Sequence, residues 1–232
     1  MEITLIHGQM HKGSTYHIAA SLKEKLADKD TTVHEFFLPK DGPTFCVGCF
    51  QCILKGETYC QETVKVQKIK EAMLRSKVIV VDSPTYCFEM TGQLKTLFDH
   101  FAYQWMSHRP EGEMFGKIGV VVSTSAGAGE KNVTKSIRRQ LFWWGIPRVH
   151  TLHFKVVASS WEDVSEKVRR KIEKEVDDTA LRIKAEAKSV KPKLKTKAIF
   201  NVMRKMQQSN TWNMVDKEHW QRNQWIGKGR PW

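Results

Sequence analysis

Residues 3–15 read ITLIHGQMHKGST and join two different patterns. The first five residues are an apolar run that predicts a buried strand, and residues 15–26 have the spacing of an amphipathic helix. The loop between them is rich in Gly, Ser, Thr and basic residues, and a helix that starts after such a loop offers free amides and a favourable dipole to a phosphate. The segment predicts either a phosphate site around Ser14 and Thr15 or a plain turn that Ser14 caps.

Strand and helix patterns continue to alternate along the chain. We predict strands at 3–7, 32–38, 78–81, 118–124 and 149–157, and helices at 15–26, 63–75, 91–105, 131–144 and 161–187. The run at 78–81 is apolar throughout, which is typical of a central parallel strand that is buried on both faces. Strict alternation predicts an open, doubly wound α/β fold whose five parallel strands have the order 2-1-3-4-5. Such a fold binds its ligand at the carboxyl ends of the strands.

Two further loops are expected at that same edge. The segment SPTYCFEM at 83–90 follows the third strand, where Pro84 ends the sheet pairing and Tyr86 and Phe88 are suited to cover a flat ring. The segment STSAGAG at 123–129 follows the fourth, and its small residues let the backbone approach a ligand closely. Either loop alone could be a turn without a ligand. Three such loops at the ends of alternating strands predict one shared binding site.

Composition limits the classes of protein to consider. The 232 residues are 41% hydrophobic and 27% charged, enough for one sizeable core with an extension. No apolar run approaches the roughly 20 residues that cross a bilayer, and we expect no signal peptide because the first strand begins at the third residue. We therefore expect a cytoplasmic protein without a membrane partner.

Residues 189–232 form a basic, tryptophan-rich extension that differs from residues 1–188. The chain has a net charge of +13, and this extension holds ten Lys and Arg against only Asp216 and Glu218. Cations interleaved with Trp suit a nucleic acid or a membrane surface. However, solvated segments are poor in aromatic residues. We expect the extension to pack on the body or on a second subunit, and we do not expect a nucleic-acid partner.

Four of the five cysteines are clustered in the pattern Cys46-x2-Cys49-x2-Cys52-x7-Cys60. Such a compact set of thiols is typical of a loop that wraps a [4Fe–4S] cluster. Zinc sites more often separate two Cys-x2-Cys pairs by a longer spacer. Reduced thiols or a labile disulfide are a further alternative in a reducing compartment. The sequence leaves these three open.

The chain resembles the flavodoxin-like NAD(P)H-dependent FMN reductases, a family that includes the iron–sulfur flavoproteins. The resemblance covers residues 1–187 and rests on the loop at 7–15, CVGCFQC at 46–52, SPTY at 83–86, GQLKTLFDH at 92–100 and STSAG at 123–127. It implies a flavodoxin-like FMN-binding domain at 1–188, followed by the extension. Some members also end with an Asp, a Trp four residues later and a further Trp, as Asp216, Trp220 and Trp225 do here.

In this family the first loop binds the FMN phosphate, the second lies against the isoalloxazine ring and the third closes over its edge. The resemblance thereby implies a set of FMN-binding residues: Gln9, His11, Gly13, Ser14, Thr15, Pro84, Thr85, Tyr86, Cys87, Phe88, Ser123, Thr124, Ser125, Ala126 and Gly127. Gln9 and His11 stand where relatives usually carry Ser and Arg. We expect weaker retention of FMN for that reason.

The resemblance implies an oxidoreductase. Its expected partners are small-molecule substrates and further copies of the chain, in a homodimer or higher oligomer. The enzyme would take hydride from NADH or NADPH and pass electrons to a quinone, a nitro or azo compound, free flavin or a metal centre. One alternative is an electron-transfer protein in which FMN and a [4Fe–4S] cluster on Cys46, Cys49, Cys52 and Cys60 exchange electrons with a ferredoxin. Another is a non-enzymatic binding module with a degenerate flavodoxin fold. No catalytic side chain is predicted, because the redox chemistry belongs to the flavin.

Overall fold

Five parallel strands form the centre of the structure, a computed structural model that describes residues 1–232. The strands are β1 (Glu2–His7), β2 (Thr32–Phe37), β3 (Val78–Asp82), β4 (Ile118–Ser125) and β5 (Arg148–Lys155), and they lie side by side in the order β2-β1-β3-β4-β5. All residues of β3 and β4 are buried, as expected for central strands covered on both faces. The predicted fold class and strand order are confirmed.

Eight helices surround the sheet: α1 (Ser14–Leu26), α2 (Gln51–Leu54), α3 (Thr63–Arg75), α4 (Gly92–His100), α5 (Glu130–Trp143), α6 (Glu166–Glu186), α7 (Leu194–Gln208) and α8 (Met214–Arg222). The apolar faces of α1 and α6 pack on one side of the sheet, where Leu22 and Val176 contribute to one core cluster. The apolar faces of α3, α4 and α5 pack on the other side, where Ile69, Leu97 and Ile137 contribute to a second. The sheet is therefore the middle layer of three.

Two predicted helices are shorter in the structure. The helix predicted at 91–105 ends at His100, because the chain then turns toward α5, where the Met106 amide donates to the Trp143 carbonyl at 2.7 Å. The helix predicted at 161–187 begins at Glu166, because Trp161 instead stacks on the ring of His17 with 5.2 Å between centroids. Helix α2 was not predicted, since its four residues show no helical periodicity.

Helices α7 and α8 of the extension pack against the body around a cluster of aromatic side chains. Phe115 of the body meets Phe200 of α7 edge to face, with 5.5 Å between ring centroids. Trp220 and Trp225 complete the cluster, and both are buried. Arg204 donates from Nε to the Trp225 carbonyl at 2.7 Å, which ties the end of the chain to α7. None of the helices is long and apolar enough to cross a membrane.

We predict that Trp220→Ala lowers the free energy of unfolding by about 3–5 kcal/mol, because the change leaves a large cavity in this cluster. Trp212→Ala is the matched control, since the Trp212 side chain is 67% exposed and Trp220 is fully buried. Its effect should stay within about 0.5 kcal/mol. Urea unfolding of both variants measures the difference, and equal losses would contradict the described packing.

Candidate functional site

The loops that follow β1, β3 and β4 meet in one cleft at the carboxyl edge of the sheet. The cleft has a volume of about 240 Å³ and contains many of the residues expected from the sequence: Gln9, His11, Gly13, Ser14, Thr15, Pro84, Thr85, Tyr86, Thr124, Ser125 and Ala126. Cys87, Phe88, Ser123 and Gly127 do not line it. The cleft lies beside the switch point between β1 and β3, where ligands of doubly wound folds bind.

The start of α1 has the properties of an anion site. Gly13 is its N-cap residue and supplies no side-chain hydrogen bond to the first turn, and that turn contains no acidic residue. The first amides of a helix have no partner inside it, so they point their N–H groups outward. Thr15 Oγ1 lies 2.5 Å from Thr124 Oγ1, which joins the first and third loops across the cleft. These groups fit a phosphate.

Gln9 links the first loop to the second. Its Nε2 donates to the Tyr86 hydroxyl at 2.6 Å, and its Oε1 accepts from the His11 amide at 2.8 Å. A serine, the residue expected at this position in relatives, is too short to bridge to a tyrosine in this way. The departure at Gln9 therefore replaces a small hydroxyl donor with a tie between two walls of the cleft.

The second loop carries a strained turn at its tip. Tyr86 and Glu89 exchange both backbone hydrogen bonds, at 2.9 and 3.0 Å, so Cys87 and Phe88 occupy the two central positions of a tight turn. Both have positive φ, 49° and 66°, where Gly and Asn are the usual residues. Left-handed conformations of other residues cost about 1–3 kcal/mol each and cluster at functional sites.

This turn projects the Phe88 side chain, which is 63% exposed, away from the cleft. Gly129 lies directly beneath it with φ of 105°, and a Cβ atom there would come within 2.6 Å of Thr85 Cγ2. The second and third loops can therefore approach only because this residue is glycine.

A buried pair of titratable groups lies under the phosphate end of the cleft. His7 Nδ1 lies 2.5 Å from Asp82 Oδ2, and His7 Nε2 lies 3.3 Å from Glu35 Oε1. Burial lowers the pKa of His7, but the hydrogen bond and charge of Asp82, with those of Glu35, outweigh it and raise the pKa above its ordinary value. Burial also raises the pKa of the Asp82 carboxyl above its ordinary value, although its hydrogen bond with His7 opposes the rise.

Sequence reasoning missed five residues that line the cleft: Tyr16, Asp82, Val156, Ala158 and Ser159. Three of them belong to the loop after β5. Because all five strands were predicted to be parallel, the carboxyl end of β5 was expected at this edge, and this loop could have been included in the predicted site. Val157 in that loop has φ of 47° although it is β-branched, a rare conformation. Asp82 is the last residue of β3, directly after the apolar run that predicted the strand.

The cysteine loop, residues 43–60, begins after the carboxyl end of β2. Cys46 and Cys49 are exposed, and Cys52 and Cys60 are half-buried, all with free thiols. Burial raises the pKa of the Cys52 thiol, and the nearby thiols of Cys60, Cys46 and Cys49 add to the rise. No three His, Cys, Asp or Glu side chains are arranged so that they could hold one metal ion. The donor set nevertheless suits an iron–sulfur cluster, which takes four cysteine thiolates on several irons.

One histidine contacts this loop. Cys60 Sγ lies 3.4 Å from His100 Nδ1, while His100 Nε2 donates to the Thr44 carbonyl at 2.9 Å. The imidazole thus fixes two ends of the loop relative to α4. In the sequence, His100 is the last residue of the motif at 92–100, and nothing there indicates that it lies near the cysteines.

A second cleft, of about 400 Å³, lies elsewhere on the molecule. It is lined by Lys135, Arg138, Arg139, Lys193 and Lys195 around an apolar floor. Its floor includes Pro147 and Val149, at the amino-terminal end of β5, so it is remote from the three convergent loops. Because doubly wound folds bind their ligands at the carboxyl ends of strands, the smaller cleft is the candidate cofactor site.

Comparison with known proteins agrees with this geometry. The family model described as NADPH-dependent FMN reductase matches residues 1–160. The chain therefore belongs to the NADPH-dependent FMN reductase family, which confirms the resemblance inferred from its motifs.

Sequence relatives include an iron-sulfur flavoprotein of Archaeoglobus fulgidus, which is 30% identical over 128 residues, 55% of this chain and 55% of that protein. An iron-sulfur flavoprotein of Clostridioides difficile is 30% identical over 102 residues, 43% of this chain and 45% of that protein. The match thus spans about half the length of these curated relatives.

Solved structures share the fold at low sequence identity. An FMN-dependent NADH-azoreductase from Bacillus anthracis in complex with FMN has a TM-score of 0.61 and 14% identity, covering 79% of this chain and 99% of that one. An NADH:FMN oxidoreductase in its apo form has a TM-score of 0.57 and 18% identity, covering 82% and 94%.

We predict that the double change Ser14→Ala and Thr15→Ala weakens FMN binding at least about tenfold, because hydrogen bonds to a charged group are worth about 1.5–3 kcal/mol each. Titration of FMN fluorescence measures the affinity. Thr15→Ser keeps the hydroxyl and should bind nearly as tightly as the wild type. Ser165→Ala removes an exposed serine at the start of α6, outside the cleft, and should have no effect. An unchanged affinity of the double variant would place the phosphate elsewhere.

Proposed function

We propose that the protein is an FMN-dependent oxidoreductase that takes hydride from NADH or NADPH and passes electrons to a small-molecule acceptor. One observation carries this proposal: the uncapped start of α1 opens into a cleft formed by three loops, in a chain that belongs to the FMN reductase family. Bound FMN would supply the hydride and electron chemistry. The chain would bind and orient it.

Different residues of the cleft would bind the phosphate and the ring of FMN. The amides at the start of α1, with the hydroxyls of Ser14 and Thr15, would hold the phosphate. The backbone of Pro84–Tyr86 would lie against the ring, and Tyr86, held by Gln9, would cover it from solvent. The name of one structural neighbour, an FMN-dependent NADH-azoreductase, supports an azo compound among the acceptors; quinones, nitro compounds and free flavin are others.

We expect NADH or NADPH to reduce the bound FMN, which is seen as bleaching of the flavin absorption under anaerobic conditions. The double variant Ser14→Ala/Thr15→Ala is expected to bind FMN more weakly. At equal total FMN its flavin absorption should bleach more slowly, since less flavin is bound. If neither nucleotide bleaches the flavin while a reduced ferredoxin does, the protein is an electron-transfer protein and the oxidoreductase proposal is wrong.

The cysteine loop favours a second candidate function. Here Cys46, Cys49, Cys52 and Cys60 would hold a [4Fe–4S] cluster that exchanges electrons with FMN and with a ferredoxin. Two observations support it: the four free thiols within one loop and the iron-sulfur flavoproteins among the relatives. The residues fit by their donor chemistry, since thiolates are the ligands of such clusters. Zinc and unligated thiols are the competing states of the same loop.

Iron and sulfide analysis after anaerobic purification distinguishes these states. We expect about four irons per chain, a content that Cys49→Ser should lower because it removes one ligand. Cys87→Ser is the control, because Cys87 lies in the second loop of the cleft and outside the cysteine loop. Zinc in place of iron, or no metal with all thiols titratable, would rule the cluster out.

The assembly of the protein forms part of the proposal. Residues 1–188 would be the FMN-binding domain and residues 189–232 an extension that belongs to the same folded unit in a cytoplasmic homodimer. Large side chains at the cleft and on the cysteine loop support a dimer, since Phe45, Phe50, Tyr59, Tyr86 and Phe88 are all exposed. Sedimentation velocity that shows only monomer in the presence of FMN would contradict this part.

A further inference from the structure

A buried arginine connects the cysteine loop to the C-terminal extension. Arg109 is 3% exposed and donates from Nη1 to the Ile53 carbonyl at 3.2 Å and from Nη2 to the Cys52 carbonyl. Its Nη1 also donates to Oδ1 of Asp216, which lies 107 residues further along the chain in α8. One guanidinium therefore contacts both the segment that carries Cys52 and a carboxylate of the extension.

Helix α2 depends on such contacts because it cannot hold its own shape. It has four residues, whereas isolated helices shorter than about 12–15 residues are marginal in water. The last carbonyls of a helix also lack partners within it. Arg109 uses two of these carbonyls, and Asn213 donates from Nδ2 to the Ile53 oxygen at 2.9 Å. Side chains from outside the loop thus complete the end of α2.

Asp216 holds Arg109 in this position. The Asp216 side chain is 1% exposed, and its second oxygen accepts from His108 Nδ1 at 2.7 Å. Glu57 is a second and more distant partner, with its Oε2 at 3.5 Å from Arg109 Nε. Loss of the closer carboxylate would leave the buried guanidinium poorly compensated, so Arg109 would be held less firmly if Asp216 were neutral. Removing the charge of Asp216 should therefore weaken the contacts of Arg109 with α2.

The start of α8 is itself rigidly placed. Asn213 is its N-cap residue and accepts from the Asp216 amide at 3.1 Å, so one helix start supplies both side chains that reach toward α2. One turn later, Trp220 Nε1 donates to the His108 carbonyl at 2.6 Å, beside Arg109. The aromatic cluster of the extension anchors α8, and α8 in turn fixes the arginine.

We infer that the C-terminal extension positions the cysteine loop, and that Asp216 and Asn213, with Arg109, are positioning residues that fix the helix carrying Cys52. They act through the backbone carbonyls of α2. The spacing of Cys52 from the other three thiols, and hence what those thiols can bind, follows from this contact. Only the consequence for a bound cluster rests on the proposed function; the positioning concerns the thiols themselves.

The test measures how fast iodoacetamide alkylates each cysteine in the full-length, metal-free protein, read by peptide mass mapping. Arg109→Lys keeps a charge for Asp216 but cannot reach two carbonyls at once. Asp216→Asn removes the closer of the two partner charges. Asn213→Ala removes one contact with Ile53 and the cap of α8, while both charges of the Arg109–Asp216 pair are kept. In each variant we expect alkylation of Cys52 to accelerate about threefold or more, because a half-buried thiol reacts through local opening.

Two controls separate positioning from general loss of stability. Cys87 lies outside the cysteine loop in the same molecule, and its rate should stay at the wild-type value. Gln207→Ala removes a buried contact between extension and body, from Gln207 Nε2 to the Ser107 carbonyl at 2.7 Å, without touching α2. Gln207→Ala should leave the rate of Cys52 unchanged.

Wild-type rates for Cys52 in folded Arg109→Lys and Asn213→Ala would overturn the inference. Equal acceleration of Cys52 and Cys87 would also overturn it, because the extension would then stabilise the whole body and position nothing in particular. A parallel measurement of iron content should show lower loading in Arg109→Lys than in Gln207→Ala. If the wild-type protein binds no iron, the cluster proposal fails, and the alkylation rates still decide the positioning.

Discussion

The close approach of Gly8 to the end of β3 fixes the geometry on which the cleft depends. The Gly8 amide donates to the Asp82 carbonyl at 2.8 Å, and a Cβ atom on Gly8 would lie at 2.8 Å from that same oxygen. Thr91 donates its hydroxyl to the Gly8 carbonyl and also caps α4, where it accepts from the Leu94 amide. The chain therefore leaves β1 in only one direction, and that direction brings the start of α1 toward the loops after β3 and β4.

The electrostatics of the cleft follow from this tight junction. Asp82 is buried, and its carboxylate is hydrogen-bonded to His7 in a pair that is nearly sealed from water. Lys12 of the first loop is directed elsewhere, because its Nζ lies over the rings of Tyr16 and Phe37, at 5.1 and 5.6 Å from their centroids. An anion here would be held mainly by amides and hydroxyls, with few fixed charges, despite the net charge of +13.

The sequence predicted features that depend on neighbouring residues, and it did not predict features that depend on contacts between residues far apart in the chain. The strands were predictable because apolar runs indicate burial, and their order followed from the strict alternation of strands and helices. The three loops then followed from the ends of those runs. The predicted ends of helices were wrong where a contact with a distant residue determines them. The helix that ends at His100 is an example, because the chain beyond it forms a hydrogen bond with Trp143. The contact between Arg109 and Asp216 gives no local signal, since the two residues are 107 positions apart. The strained Cys87–Phe88 turn was missed because its residue types argue against it.

The composition of the cysteine loop explains why contacts from α8, a helix distant in sequence, are needed to position it. Most of its large side chains face solvent, with Phe45 at 80% and Val47 at 75% exposure, so they contribute nothing to holding the loop in the free chain. Ile53 alone among its large apolar side chains is buried in the core. Because the side chains of such a loop are left free for a ligand, contacts to its backbone must fix its position. Arg109 and Asn213 do this at α2. Asn213 belongs to the extension and Arg109 is paired with Asp216 of the extension, whose basic residues alone would suggest a surface-binding arm.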